Sequence, residues 1–177
     1  MRKIGLTGGI GTGKTFISKM FVKKGIPVFY ADDEAKRLYA DEQVLQQIRD
    51  NFGDTVFDGN HLDIKKMAAL VFTDEDALQQ LESIIHPKVM AMFEEWASQQ
   101  HSDEVIMESA ILFEAHLEKY FDHIIVVNAS VGKRIERIQR RNPELTEAEV
   151  MVRINRQMPQ EKKCALADEV IEHEEDW

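Results

Sequence analysis

The stretch "IGLTGGIGTGKTF", residues 4–16, runs from an apolar segment into glycines, then a Lys-Thr pair, then residues of helical pattern. Gly8, Gly13, Lys14 and Thr15 fit G-x-x-x-x-G-K-[ST] in full. Glycines at positions 8, 9, 11 and 13 let the backbone adopt positive φ and curl around an anion. Successive N–H groups then point inward, and a helix begun near Lys14 adds the positive end of its dipole. Lys14 is placed to reach the β- and γ-phosphates, and the Thr15 hydroxyl to ligate Mg²⁺. The bland alternative is a glycine-rich turn with a surface lysine. A strand before the loop and a helix after it, which the motif demands, speak against that. The motif names a nucleotide phosphate as ligand. It leaves hydrolysis, transfer and sensing open.

Outward from the loop, residues 2–7 read as a short buried strand. Phe16, Ile17, Met20 and Phe21 fall on one face of a helix over 14–24, which Gly25 ends. "IPVFYA", residues 26–31, reads as a second strand closed by Asp32 and Asp33. Strand, loop, helix, strand is a βαβ unit, so the two strands should be parallel. Residues 33–52 are helical in pattern up to Gly53, and "FDGNHLD" at 57–63 is turn-rich. "IKKMAALVF" (64–72) and "EDALQQLESII" (75–85) predict helices, followed by His86-Pro87 and a helix over 88–100. So long a helical run without a strand predicts a helical insertion on an α/β core. "EVIMESAIL" (104–112), "HIIVVNA" (123–129) and "EVIE" (169–172) predict three more strands. Near-continuous apolar strands separated by helices imply a parallel sheet covered on both faces.

The chain has 177 residues, 44% of them hydrophobic and 31% charged, with a formal net charge of -10. So acidic a chain is a poor general binder of nucleic acid or of membrane surface. The charge is uneven, however. Residues 133–163 hold nine Lys/Arg against five Asp/Glu, whereas 164–177 hold six acids and neither Lys nor Arg. A basic segment in an acidic protein suggests a specific anionic ligand; a solvated helix pair of mixed charge is the alternative. The single cysteine, Cys164, excludes an intrachain disulfide and a cysteine-based metal site, and reads as a small packing residue. No apolar run approaches the roughly 18 residues of a membrane span. The apolar stretch after the N-terminus is too short and glycine-rich for a signal peptide, so the cytoplasm is the expected compartment.

A GTPase of the switch type needs D-x-x-G after an apolar strand and N-K-x-D for guanine. The third strand runs into "ESAILFE" and the fourth into "NASVGKR", and neither motif is there. A kinase needs an acceptor site, a group to orient or deprotonate the acceptor hydroxyl, and cations for the moving phosphoryl group. Asp32, at the carboxyl end of the second strand, is a candidate for the acceptor side. The alternative for "ADDEAKR" is a helix N-cap, and Asp33 is the better cap. The cations come from "GKRIERIQRRN", in which Arg134, Arg137 and Arg141 are spaced i, i+3, i+7 on one helical face. Arg140 lies beside that stripe, and Arg153 and Arg156 on the next helix could add to the site. Guanidinium groups suit phosphate oxygens, so the stripe reads as a lid, or else as a solvated helix.

Taken together, these residues resemble the dephospho-CoA kinase family, from "IGLTGGIGTGKT" to "ALADEVIE". The more specific matches are Ala31-Asp32, "FGD" (52–54), "GNHLD" (59–63), "VFTD" (71–74), "HP" (86–87), "ILFE" (111–114), "QMP" (157–159) and "ADEVI" (167–171). The resemblance implies a P-loop NTPase fold, a three-layer α/β/α arrangement on a five-stranded parallel sheet, with a helical substrate-binding insertion and an arginine-bearing helical lid. It implies transfer of the γ-phosphoryl group of ATP to the ribose 3′-hydroxyl of dephospho-CoA with Mg²⁺, the last step of coenzyme A synthesis. Another P-loop metabolite or nucleoside-monophosphate kinase, or a non-catalytic ATP-binding module, is the alternative. ATP and dephospho-CoA are then the partners, with no nucleic acid and no membrane.

Carried onto this chain, the resemblance makes Gly8, Gly9, Gly11, Thr12, Gly13, Lys14, Thr15 and Phe16 the ATP loop. Thr15 is the metal residue, and Asp32, Lys14, Arg137 and Arg141 are the catalytic set. His86 falls on the substrate side, or braces helices. The core is expected over 1–32, 101–130 and 164–177, the CoA-side domain over 33–100, and the lid with its return helix over 131–163. The chain departs from the family in four places. Tyr30 stands where an Asp is usual. Ala110-Ile111-Leu112 replaces Pro-Leu-Leu, and Ile64 follows "LD" in place of Arg. Relatives also run on into another helix past Trp177. Glu108 on the third strand is a candidate metal-shell carboxylate, or a surface glutamate.

Overall fold

A computed structural model of the chain describes residues 1–175. The last two residues of the segment 164–177 lie outside the described residues. The chain forms two compact units, one of Met1–Tyr30 with the segment from Gln99 onward, the other of Ala31–Ser98.

In chain order the elements begin with β1 (Arg2–Thr7), α1 (Lys14–Lys23), β2 (Val28–Tyr30), α2 (Ala31–Leu38) and α3 (Glu42–Phe52). Then come β3 (Phe57–Asp58), β4 (His61–Leu62), α4 (Ile64–Thr73), α5 (Glu75–Ser98) and β5 (Glu104–Glu108). The rest are β6 (His123–Asn128), α6 (Val131–Arg141), α7 (Glu147–Arg156), α8 (Gln160–Leu166) and β7 (Glu169–Glu172).

In the first unit, β2, β5, β1, β6 and β7 form a five-stranded sheet in that order, every pairing parallel. β1 is central, and its register sets Leu6 beside Glu108 and Ile125. Alternation along the strands gives the sheet two apolar faces. Ile4, Leu6, Ile106, Ile125 and Val127 form one, covered by Ile17, Phe16 and Met20 of α1. On the other, a Cβ on Gly5 would lie 2.5 Å from Leu112 and 3.2 Å from Phe121, so glycine lets those side chains close directly onto β1. The layers are helix, sheet, helix, as the apolar strands predict. Among the described residues no helix is long and apolar enough to cross a membrane.

β5 stops at Glu108, four residues short of the expected end. The Ser109 hydroxyl accepts the Ile111 amide at 3.3 Å, and the Ala115 amide donates to the Ile111 carbonyl at 2.8 Å. The chain therefore turns after Glu108, burying Leu112 and Phe113.

The second unit is mostly helical. The expected helix over 33–52 is two helices, because the Asp41 carboxylate accepts the Val44 amide at 3.1 Å and starts α3 afresh. The turn-rich stretch 57–63 is a small hairpin of β3 and β4, turned by Gly59 at φ 62°. Asp63 then caps α4, accepting the amides of Lys65 and Lys66. The expected break at His86-Pro87 does not occur, for α5 runs unbroken through Pro87. Ser83, four residues earlier, and Pro87 are both exposed, so water can serve the carbonyl that proline leaves without an amide. Ile84, Ile85, Val89, Met90 and Phe93 are buried on both sides of it and hold the two halves in one helix.

Candidate active site

The phosphate loop lies between the carboxyl end of β1 and the start of α1. Gly11 and Gly13 take φ of 81° and 89°, in the region that favours glycine. A Cβ on Gly13 would also fall 2.2 Å from the His173 ring, so the position is closed to side chains on two counts. No side chain caps α1. The Ile17 amide makes the first hydrogen bond of the helix, to the Gly13 carbonyl at 3.1 Å, so the amides of Lys14, Thr15 and Phe16 lie ahead of it at the end of the helix that suits an anion. Lys14 is half-buried, with Nζ 3.9 Å from Oε1 of the buried Glu108. Thr15 is exposed, with its carbonyl accepting the Ser18 hydroxyl at 2.8 Å.

The outside of the loop is covered by α6 and by the connection from α7 to α8. Arg134 Nε donates to the Ile10 carbonyl at 2.9 Å. Arg137 Nη1 donates to the carbonyls of Thr12 and Gly11 at 3.1 and 3.3 Å, and Nη2 to that of His173 at 2.7 Å. Both guanidinium groups are buried. Burial alone pushes the Arg134 pKa down from its ordinary value. Arg141, the last residue of α6, is exposed, as are Arg153 and Arg156. The arginine stripe thus divides: its first two members meet backbone carbonyls of the loop, and the third faces solvent.

Asp32 and Asp33 do not precede a helix. α2 starts at Ala31, directly after β2, so both aspartates lie in its first turn with Glu34, where acidic groups suit the helix dipole. The expected cap at Asp33 is thereby corrected, and Asp32 is an exposed first-turn residue two positions past β2. Tyr30 pairs in register with Glu108, and its hydroxyl lies within hydrogen-bonding distance, 3.3 Å, of the Ser18 hydroxyl.

His86 is half-buried in α5, and burial holds its pKa below the ordinary histidine value. The neutral ring is therefore favoured in the fold. Its stabilisation is present above the unfolded pKa of about 6.5 and is lost as pH falls through the lowered folded pKa, because the unfolded chain then binds more protons. Comparing melting temperatures at pH 7.5 and pH 5 should reveal this. His86→Gln should lose less on acidification than the parent, and an equal loss would remove His86 from the acid response.

Three groups near the loop escaped the sequence reading of the site. Gln157 and Gln160 contact loop amides, and Lys163, with no exposed surface, pairs with Glu114 at 3.2 Å. "QMP" and "ILFE" were legible as motifs, but nothing local says that Glu114 of the second accepts the Met158 amide of the first.

The model of the family described as dephospho-CoA kinase (CoaE) matches residues 2–176. The chain belongs to the dephospho-CoA kinase family. A dephospho-CoA kinase of Bacteroides fragilis is 38% identical over 171 residues, covering 96% of this chain and 83% of that protein. One from Fusobacterium nucleatum is 36% identical over 174 residues, covering 96% and 88%. The crystal structure of TT1252 from Thermus thermophilus superposes with a TM-score of 0.88 at 31% identity, over 99% of this chain and 90% of that one. The relation to a dephospho-CoA kinase spans the phosphate loop, the helical insertion and the last strand alike. Family members are kinases, so the question left open by the loop is answered in favour of transfer.

Proposed function

We propose that the protein transfers the γ-phosphoryl group of ATP to the ribose 3′-hydroxyl of dephospho-CoA, giving coenzyme A and ADP. The observation that carries this is a complete phosphate loop at a strand–helix junction, in a chain that matches the family along residues 2–176. In this reading the amides of Gly11 and of Gly13 to Phe16 bind the β- and γ-phosphates, the Thr12 amide being given to the Gly9 carbonyl. Lys14 leaves Glu108 for the phosphate oxygens, and Arg137 and Arg141 supply further positive charge from α6. Asp32 orients the 3′-hydroxyl and accepts its proton as the new bond to phosphorus forms. His86 serves the substrate side.

The donor set at the loop suits Mg²⁺, which binds through one or two protein oxygens with phosphate and water. The Thr15 hydroxyl would hold the ion, with Glu108 in its outer shell. When bound, Mg²⁺ neutralises phosphate charge. The helical unit would carry dephospho-CoA, and 131–163 would close over ATP, so that excluding water favours transfer over hydrolysis. The cytoplasm, where both substrates are found, is the proposed compartment.

ADP formation with ATP plus dephospho-CoA, AMP or no acceptor tests the reading. Turnover should require dephospho-CoA. Turnover with AMP alone would make the protein a nucleotide kinase, and none with any acceptor a binding module.

A further inference from the structure

Gln157 of the "QMP" motif and Gln160, the first residue of α8, make contacts that the reaction as described does not use. The Gln157 Oε1 accepts the Ile10 amide at 2.7 Å, and the Gln160 Oε1 accepts the Gly9 amide at 3.0 Å. Gln160 Nε2 donates in turn to the Val127 carbonyl at 2.9 Å, at the end of β6. The connection from α7 to α8, through Gln157, and the first residue of α8, Gln160, therefore hold two consecutive amides of the phosphate loop.

The connection is itself fixed. Lys163 Nζ donates to the Ala110 carbonyl at 2.8 Å and pairs with Glu114 Oε2 at 3.2 Å, and the same oxygen receives the Met158 amide at 3.4 Å. A lysine without exposed surface is costly unless paired and hydrogen-bonded, and Lys163 is both. It ties α8 to the turn after β5.

We propose that Gln157 and Gln160 are positioning residues for nucleotide binding, holding the outer amides of the phosphate loop so that its remaining amides stay aimed at phosphate. Two opposed sets of contacts define the loop. The glutamines take the amides of Gly9 and Ile10, while Arg134 and Arg137 take the carbonyls of Ile10, Gly11 and Thr12. A peptide plane held at both its N–H and its C=O cannot flip. The peptide group between Gly9 and Ile10 is held in this way: Gln157 accepts its N–H, while its oxygen accepts the Thr12 amide at 3.2 Å and the Thr12 hydroxyl at 2.8 Å. A loop that is preset binds phosphate without an ordering cost. The inference rests on the loop being the ATP site.

The two glutamines differ in a way that gives a test. Gln157 uses its oxygen on the loop, whereas Gln160 uses both ends of its amide. Glutamate keeps the acceptor at position 157. At 160 it would turn a carboxylate oxygen on the Val127 carbonyl. ADP binding by titration calorimetry on the full chain, with KM for both substrates, separates the cases. Gln157→Met should weaken ADP binding about tenfold, the scale of one lost hydrogen bond with a stranded amide, with KM for dephospho-CoA unchanged. Gln157→Glu should recover most of that loss, while Gln160→Glu should be as weak as Gln160→Met. Equal ADP affinity in parent and Gln157→Met, or no recovery with Gln157→Glu, overturns the proposal. Failure of the parent to bind ADP overturns instead the assignment of the loop. Hydrogen exchange on the ligand-free parent gives a variant-free check: the Gly9 and Ile10 amides should exchange slowly, and rapid exchange at both also overturns the proposal.

Discussion

Asp32→Asn should lower kcat by about two to three orders of magnitude, the range for losing a general base, with KM for ATP changed by less than about threefold. Asparagine keeps the size of the side chain and one acceptor oxygen, so it can still receive a hydrogen bond from a hydroxyl. It cannot take the proton. Asp32 is exposed in the first turn of α2, and no fold-defining contact depends on it, so the melting temperature should barely move. Steady-state kinetics with both substrates, alongside a thermal melt, give the result. A kcat within twofold of the parent would leave Asp32 as one of three acids at a helix start and return the search for a base to the rest of the helical unit.

Arg137→Ala should have the larger effect on the protein as a whole. One guanidinium group joins the phosphate loop to the segment after β7, serving the carbonyls of Gly11 and Thr12 through Nη1 and that of His173 through Nη2. Removal strands buried acceptors at two places and opens a cavity beside His173. Charged hydrogen bonds of this kind are worth about 1.5–3 kcal/mol each, so a loss of about 3 kcal/mol is a conservative expectation once relaxation is allowed. kcat/KM for ATP should fall about a hundredfold in the protein that remains folded, as expected when reacting groups are displaced by about an ångström. Arg137→Lys should recover little, since one ammonium group cannot reach diverging carbonyls as a planar fork does. Lost activity with an unchanged melting temperature would assign Arg137 to phosphate chemistry alone. An unchanged rate would make it a brace and nothing more.

The fold was legible where the signal is local and periodic. The phosphate loop, the strands around it and the parallel sheet follow from apolar runs and glycine spacing. Element ends were less legible, because they depend on single side-chain contacts: Asp41 splitting one helix, Ser109 ending a strand early. Pro87 misled for the opposite reason. Apolar residues before and after it commit both halves to one helix, and this outweighs the local penalty of proline. At the site, Lys14 and Thr15 announce themselves through a motif. Arg134 and Arg137 were visible as a stripe, but a stripe does not say whether carbonyls or phosphates meet it. Gln157, Gln160 and Lys163 carry no periodic signature at all. What they do is decided by strand order, which brings residues 151 apart in the chain into contact at Gly9 and Gln160.

That separation governs how the chain can fold as it leaves the ribosome. β1 is made before its neighbours in the sheet, β5 and β6, which begin at Glu104 and His123. The helical unit, contiguous over Ala31–Ser98, can form in the interval. The phosphate loop must wait until α6 and the α7–α8 connection have emerged. During synthesis, the phosphate loop is thus exposed well before the residues that hold its shape exist. A nucleotide cannot template the fold early; the loop it would occupy is held only once α6 and the α7–α8 connection are out.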